Sequence, residues 1–297
     1  MTFAAIEPAL KEVAIFMEDA LHECLPEPMG PQARVIEAMR YATLGGGKRI
    51  RAFLVLQAGR QFGVDRRALS RAAAAVECVH AYSLAHDDLP AMDNDDMRRG
   101  QPSTHKKFDE ATAILAGDAL LTHAFALLAG HEIHPDPHVR AELVARLAQA
   151  SGHNGMVGGQ MIDIAAQGDI SDIGHITRLQ RLKTGALIAF ACEAGAIMGK
   201  TSPQLRQSLV NYAQDLGLAY QIADDLLDVE GDPKVMGKAA GKDQKAGKAT
   251  FVTVLGAERA RAQAQLLATQ AAQHLDVFDE KADLLRGLAT YVVNRRA

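Results

Sequence analysis

Ala, Leu, Gln, Glu and Arg dominate this 297-residue chain, and long alternating runs of β-branched residues are absent. Apolar positions recur with the helical period instead, which predicts helix nearly everywhere. The pattern places helices over about 1–22, 32–43, 48–62, 67–88, 107–130, 137–151, 154–166, 171–199, 203–229, 250–273 and 277–295. Prolines mark the boundaries. Pro31 precedes one helix, Pro90 and Pro102 bracket an acidic segment, Pro135 and Pro137 sit in a short link, and Pro233 closes a long stretch. Ser202-Pro203 reads as an N-cap followed by the first helical residue. No Gly/Ser linker, low-complexity segment or repeat of about 20–50 residues divides the chain. The expected architecture is one all-α domain over residues 1–297.

Two of these helices invert the usual amphipathic ratio. Residues 67–88 and 203–229 are apolar almost all round, as core helices are, yet each carries one polar stripe. In the second, Gln221, Asp224, Asp225 and Asp228 follow the i, i+3, i+4, i+7 spacing of a single face. In the first, His80, Ser83 and Asp87 share a face by the same rule. Narrow polar stripes on core helices predict a wet cavity inside the protein.

Composition narrows the setting. The chain is 48% hydrophobic, enough for a large core, and its 32 basic and 36 acidic residues leave a net charge of -4. That balance gives no support to nucleic-acid binding. Cys24, Cys78 and Cys192 are too few and too scattered for a disulfide framework or a zinc site, which favours a reducing compartment. The segment MTFAAIEPALKEV has no basic stretch followed by an apolar run, so no signal peptide is expected. The apolar run GALIAFACEAGAIMG carries Glu193 and is too short to span a bilayer. A cytoplasmic protein without stable membrane insertion is expected.

The chemistry lies in HDDLPAMDNDDMRRG, residues 86–100, where five aspartates precede Arg98 and Arg99. A solvated loop explains Asp95 and Asp96. It does not explain Asp87, Asp88, Asp224, Asp225 and Asp228 at the ends of apolar helices, because bare buried carboxylates are costly. An EF-hand starting at Asp93 needs Gly at Arg98 and Glu at Thr104, and fails at both. Oxygen-only ligands point to Mg²⁺, which shares its shell with water and substrate phosphate. Arg98 and Arg99 can grip phosphate oxygens bidentately. A second basic site, LGGGKRIR at 44–51, places Lys48, Arg49 and Arg51 after three glycines, where backbone N–H groups and a helix N-terminus can approach an anion. It is no P-loop, since Ala42 stands at the first Gly position and Arg49 at the Ser/Thr position. Taken alone, this segment is equally well a helix-entry loop with solvated cations. Together the parts imply two anionic substrates, one held by metal ions between aspartate clusters and one by direct cationic contacts. A carboxylate and a phosphate charge at about 4 Å repel by about 4 kcal/mol at an effective dielectric near 20, so a diphosphate beside these aspartates needs bridging cations.

HDDLPAMD with DDMRRG, and later QIADDLLD, resemble the first and second aspartate-rich motifs of the trans-prenyltransferases, the polyprenyl diphosphate synthases. GGGKRIR, VECVHAYSLAHDD, LKTGALI and GDPKVMGKAAGKDQKAGKAT resemble further segments of that family in the same order, from about residue 40 to 255. The resemblance implies an all-α bundle around a deep central cavity, a homodimer, Mg²⁺ as cofactor, and head-to-tail joining of isopentenyl diphosphate to an allylic diphosphate. Carried over by position, it implies Mg²⁺ on Asp87 and Asp93 from one wall and on Asp224 from the other, with Asp88, Asp225 and Asp228 in support. It implies isopentenyl diphosphate on Lys48, Arg51, His80 and Arg99. Around the allylic diphosphate it implies Arg98, Lys183, Thr184, Gln221 and Lys238, the Thr184 and Gln221 oxygens facing the allylic cation; Lys248 matches a basic position of open role. Pro90 means that Asp93 is no simple i+4 ligand, so the chain must bend to bring it round. Gln160 and Asp163 read as a cross-link between helices.

Position 82, five residues upstream of Asp87, stands about 7.5 Å along the helix axis. A bulky aromatic there resembles the floor of synthases that stop at fifteen carbons, so Tyr82 implies farnesyl diphosphate as product from C5 and C10 starters; the alternative is a geranylgeranyl or other short-chain synthase. A class I terpene cyclase would need no isopentenyl site and commonly lines its cavity with aromatics, whereas this chain has no tryptophan and 5% aromatic residues. A non-catalytic synthase subunit would have eroded motifs, and a simple helical metal-binding protein leaves the basic residues unexplained.

Overall fold

A computed structural model describes residues 5–165, 172–230 and 250–295. In chain order the helices are α1 (Ile6–Cys24), α2 (Ala33–Leu44), α3 (Ile50–Arg60), α4 (Arg66–Asp87), α5 (Thr104–Lys107), α6 (Glu110–Ala129), α7 (Pro137–Ser151), α8 (Met156–Ala165), α9 (Ile173–Gln180), α10 (Ala186–Met198), α11 (Pro203–Glu230), α12 (Phe251–Leu255), α13 (Ala257–Gln273) and α14 (Asp283–Asn294). Among the described residues the sole sheet is a two-residue antiparallel hairpin, β1 (Met97–Arg98) with β2 (Gln101–Pro102). The all-α expectation therefore holds.

The caps follow local chemistry. Asp65, Asp109, Asp136 and Asp172 each accept a backbone N–H at the start of α4, α6, α7 and α9, and Pro137 opens α7. Ser202 Oγ accepts from Leu205 N at 3.4 Å, as its N-cap reading requires. Two expected helices differ in detail. The span 250–273 breaks at Gly256, whose φ of 77° lies in the left-handed region that ends a helix. The span 171–199 is helical from Ile173 to Met198, but Arg181–Gly185 between α9 and α10 winds as a π turn.

α4 and α10 form the centre. Nearly every residue of α10 from Leu187 to Met198 is buried, as are Ala72–Val79 of α4. α4 packs on α3 and α6, α10 on α3, α7 and α11, and α11 on α13. One acid in α10 is neutralised across helices. Glu193 is buried and takes Arg146 of α7 and Arg206 of α11, with N–O distances of 2.6 and 2.8 Å. The axial packing leaves the polar ends of α4 and α11 to define the site.

Candidate active site

The first wall is the C-terminal turn of α4 and the loop that follows. Asp87 ends the helix, and Asp93 N donates to Asp87 O at 2.8 Å. The chain thus curls back after Pro90 and returns Asp93 beside Asp87. Burial pushes the Asp87 carboxyl up to about 6; Lys183 opposes the shift, Asp93 adds to it, Arg98 opposes it, and Asp88 adds to it. Asp88 is 2% exposed and takes Arg98 in a fork, with Arg98 Nε at 3.2 and 3.3 Å from its two oxygens and Nη2 on Oδ1. Arg98, which the family pattern gives to the allylic diphosphate, here lies against Asp88. Asp95 and Asp96 lie farther along the loop, Asp96 paired with Lys106 at 3.0 Å.

The hairpin brings Arg99 to the glycine turn. Arg99 Nη1 donates to Gly46 O, and a Cβ on Gly47 would stand 2.8 Å from the Arg99 guanidinium carbon. The absent side chain at Gly47 therefore lets these segments touch. His80 sits one helix face away. Its imidazole is held well below the ordinary histidine range, first by burial and then by Arg51, Arg99, Arg49 and Arg98. Lys48 is accessible, yet partial loss of hydration and Arg295 push its ammonium down, against the pull of Asp224 and Glu7.

One part of the sequence reading is corrected here. Arg49 does not face an anion site: its side chain turns inward, Nη1 donating to Glu77 Oε2 at 3.0 Å and Nη2 to Thr43 O at 2.7 Å. Nor is the N-terminus of α3 wholly open to an anion, because Ala52 N donates to Glu77 Oε1 at 3.1 Å. A buried guanidinium needs a counter-charge, and Glu77 supplies it from α4.

The second wall is α11 with the π turn. Lys183 Nζ pairs with Asp163 of α8 at 2.5 Å, which is the helix cross-link expected of Asp163. A Cβ on Gly159 would stand 2.2 Å from Lys183 N, so α8 can approach the π turn this closely only through glycine. Thr184 Oγ1 donates to Gln221 Oε1 at 3.3 Å, and Gln221 Nε2 donates to Asp225 Oδ1 at 3.0 Å. Asp225 is buried and also accepts Phe251 N at 3.0 Å, so it ties α12 to α11. Asp224 and Asp228 are half-buried. Asp224 pairs with Arg295, whose guanidinium lies 4.0 Å over the Tyr220 ring. Arg295 and Tyr220 escaped the sequence reading; no local spacing ties residue 295 to residue 224.

Two cations link the walls. Arg51 depresses His80 on the first wall and feels Asp224 and Tyr220 on the second. Lys183 reaches the Asp87 carboxylate electrostatically from its place beside α11. Asp87 thus lies within electrostatic reach of the π turn, whose Thr184 bonds Gln221 on α11 one turn before Asp224. Among the described residues no three His, Cys, Asp or Glu side chains converge to chelate a metal unaided. Lys238 and Lys248 lie outside the described residues. A small cleft opens beside the Asp88–Arg98 pair, between Tyr41 and Gly45, Ala81 and Ala85 of α4, and the hairpin.

Comparison with known proteins agrees with this layout. The polyprenyl synthetase family model matches residues 32–286. The chain is 47% identical over 269 residues to the farnesyl diphosphate synthase of Escherichia coli, covering 88% of this chain and 89% of that protein. It is 41% identical over 298 residues to the farnesyl diphosphate synthase of Geobacillus stearothermophilus, covering 99% of each. The crystal structure of an apo FPP/GFPP synthase from Zymomonas mobilis superposes with a TM-score of 0.89 at 50% identity, covering 98% of this chain and all of that one. With both aspartate-rich segments inside the matched residues and similarity along nearly its whole length, the chain belongs to the polyprenyl synthetase family.

Proposed function

We propose that the protein joins isopentenyl diphosphate head to tail to C5 and C10 allylic diphosphates and releases farnesyl diphosphate. The observation that supports this reading is a cationic group in which Arg51 and Arg99 act on His80 while Lys48 and Arg51 feel Asp224, alongside Lys183 acting on Asp87. A cyclase has no use for the cationic group.

The donor set fits Mg²⁺. Every carboxylate of the two walls is an oxygen ligand, and Asp87 is burdened as an anion by burial and by Asp93 and Asp88, which a divalent cation would relieve. Asp87 and Asp93 would hold it from one wall and Asp224 from the other, in place of the Arg295 contact. When bound, Mg²⁺ neutralises charge developing on the departing pyrophosphate. The chain's own groups do the rest. Arg98, Lys183 and Lys238 steady the allylic diphosphate as its C–O bond breaks. The Thr184 hydroxyl and Gln221 amide oxygens face the allylic cation. Lys48, Arg51, His80 and Arg99 hold isopentenyl diphosphate so that its double bond attacks C1 of the cation, after which a proton is lost to the released pyrophosphate. His80, kept neutral, retains a lone pair on one ring nitrogen and donates from the other. Tyr82 closes the tail's path. Its ring is buried and meets His86 edge-on at 5.2 Å, between α4 and α6.

The reading includes a homodimer acting in the cytoplasm. α6 shows Ala111, Ile114 and Leu115 to solvent in its first turns, with the polar Asp118 and Thr122 exposed beyond them. By length and composition α6 could cross a membrane, but 44% of its most apolar window is buried inside the fold, as in the core helix of a soluble protein.

The test is direct. Incubate the protein with Mg²⁺, labelled isopentenyl diphosphate and C5, C10 or C15 allylic starters, and size the products. Fifteen-carbon product from the two shorter starters is expected. No condensation with any starter would overturn the proposal; a twenty-carbon end product would overturn the chain length alone.

A further inference from the structure

Glu77 is the one acid in the apolar stretch Ala72–Ala81 of α4, and it is 2% exposed. A carboxylate so buried must be held, and both of its oxygens are: Oε2 by Arg49 Nη1 at 3.0 Å and Oε1 by Ala52 N at 3.1 Å. The second bond satisfies one of the orphan N–H groups in the first turn of α3 from a different helix. Arg49 is held as firmly. Its backbone is left-handed, with φ 48° and ψ 38°, and its side chain is 3% exposed, the guanidinium lying between Glu77, Thr43 O at 2.7 Å and Glu18 at 3.3 Å. A non-glycine residue keeps such a backbone only when its surroundings over-determine it. The turn joining α2 to α3 is thereby fastened to the last turn of α2 and to α4.

Lys48 precedes Arg49, and Arg51 precedes Ala52. Lys48 and Arg51, which the proposed function gives to isopentenyl diphosphate, are thus interleaved with the residues that are pinned inward. His80 follows Glu77 by one turn of α4, so the same fastening sets Lys48 and Arg51 against His80. Glu77 also acts through space on Arg51 and Arg99, as the negative charge beneath a cluster of guanidiniums.

We infer that Glu77 and Arg49 are positioning residues for isopentenyl diphosphate: neither touches it, and together they aim and electrostatically balance the cations that do. This rests on the function proposed above. The test compares wild type with Glu77→Gln, which keeps an acceptor for Ala52 N but removes the charge, and with Arg49→Met and Arg49→Lys. KM for isopentenyl diphosphate, KM for geranyl diphosphate and kcat are measured, together with the rise in melting temperature that each diphosphate produces alone. Glu77→Gln and Arg49→Met should raise KM for isopentenyl diphosphate about tenfold or more, the scale set by loss of a hydrogen bond to a charged group. KM for geranyl diphosphate and kcat should stay within about twofold of wild type. The thermal shift by isopentenyl diphosphate should shrink while that by geranyl diphosphate persists, and Arg49→Lys should recover part of the loss. A lower melting temperature with both KM values unchanged, or an equal rise in both, would overturn the inference by showing a structural strut or a general distortion. If Arg49→Met does not fold, Glu77→Gln and Arg49→Lys decide the matter. A wild type that condenses nothing refutes the proposed function instead, and the thermal shifts still judge the pair.

Discussion

Tyr82→Ala should lengthen the product, and the structure sets the size of the effect. Tyr82 is 8% exposed and stands five residues, about 7.5 Å, before Asp87 along α4. Below it on the same side come Cys78 and Val79, and a turn further down Ala74 and Ala75, all fully buried. Removing the ring therefore opens roughly one helical turn, about 5.4 Å, before the next side chains stop the tail. That is room for about one further five-carbon unit, so twenty-carbon diphosphate should become the main product. The change also costs stability. Truncating a buried aromatic costs about 3–5 kcal/mol, which in a chain of this length lowers the melting temperature by on the order of 10 °C. The assay is accordingly run at 25 °C on protein whose helical circular dichroism matches wild type, with geranyl diphosphate and labelled isopentenyl diphosphate, and products sized by chromatography. Tyr82→Phe serves as control and should still stop at fifteen carbons, since it removes only the hydroxyl that burial, Asp87 and Asp118 keep protonated. A folded Tyr82→Ala protein that still makes fifteen-carbon product would refute the ring as the floor of the tail pocket.

Three further outcomes are expected. Gly159→Ala would drive a Cβ into the backbone of Lys183 and displace the π turn, so kcat should drop about 100-fold with helical content intact; unchanged kcat would show that the π turn does not position Lys183 and Thr184. Glu193→Leu strips Arg146 and Arg206 of their shared buried partner, though Arg206 keeps Glu142, and should cost about 1.5–3 kcal/mol of stability while leaving the KM values at 25 °C alone; an unchanged melting temperature would count against the clamp. His80→Gln should change the acid side of the stability curve. Folded His80 stays neutral while the unfolded chain takes up a proton below about pH 6.5, so wild type loses stability as pH falls through that value. Glutamine cannot titrate, so the difference in melting temperature should move in the variant's favour between pH 7.5 and 5, and parallel curves across that range would contradict the account.

Much of this molecule was legible before any coordinates. Helical periodicity, capping residues and prolines mark the all-α fold, because each depends on neighbours within a turn or two. The same short range explains why the Gln221–Asp224 face and the bend that returns Asp93 to Asp87 could be read directly: helix geometry and Pro90 decide both. The π turn at Arg181–Gly185 was not legible within the predicted helix 171–199, because its winding depends on α8 pressing Gly159 against it.

What the sequence by itself determined is which residues share a helix face, and thus the two aspartate stripes. What only the tertiary structure decided is the direction taken by residues whose partners lie far along the chain. In KRIR, Arg49 and Arg51 are chemically alike and two positions apart, yet Glu77, brought in from α4, draws Arg49 into the core while Arg51 stays half-buried within reach of Tyr220 and Asp224. Arg295 reaches Asp224 across 71 residues in the same way. A buried charge goes where its counter-charge is, and packing rather than local spacing sets that place.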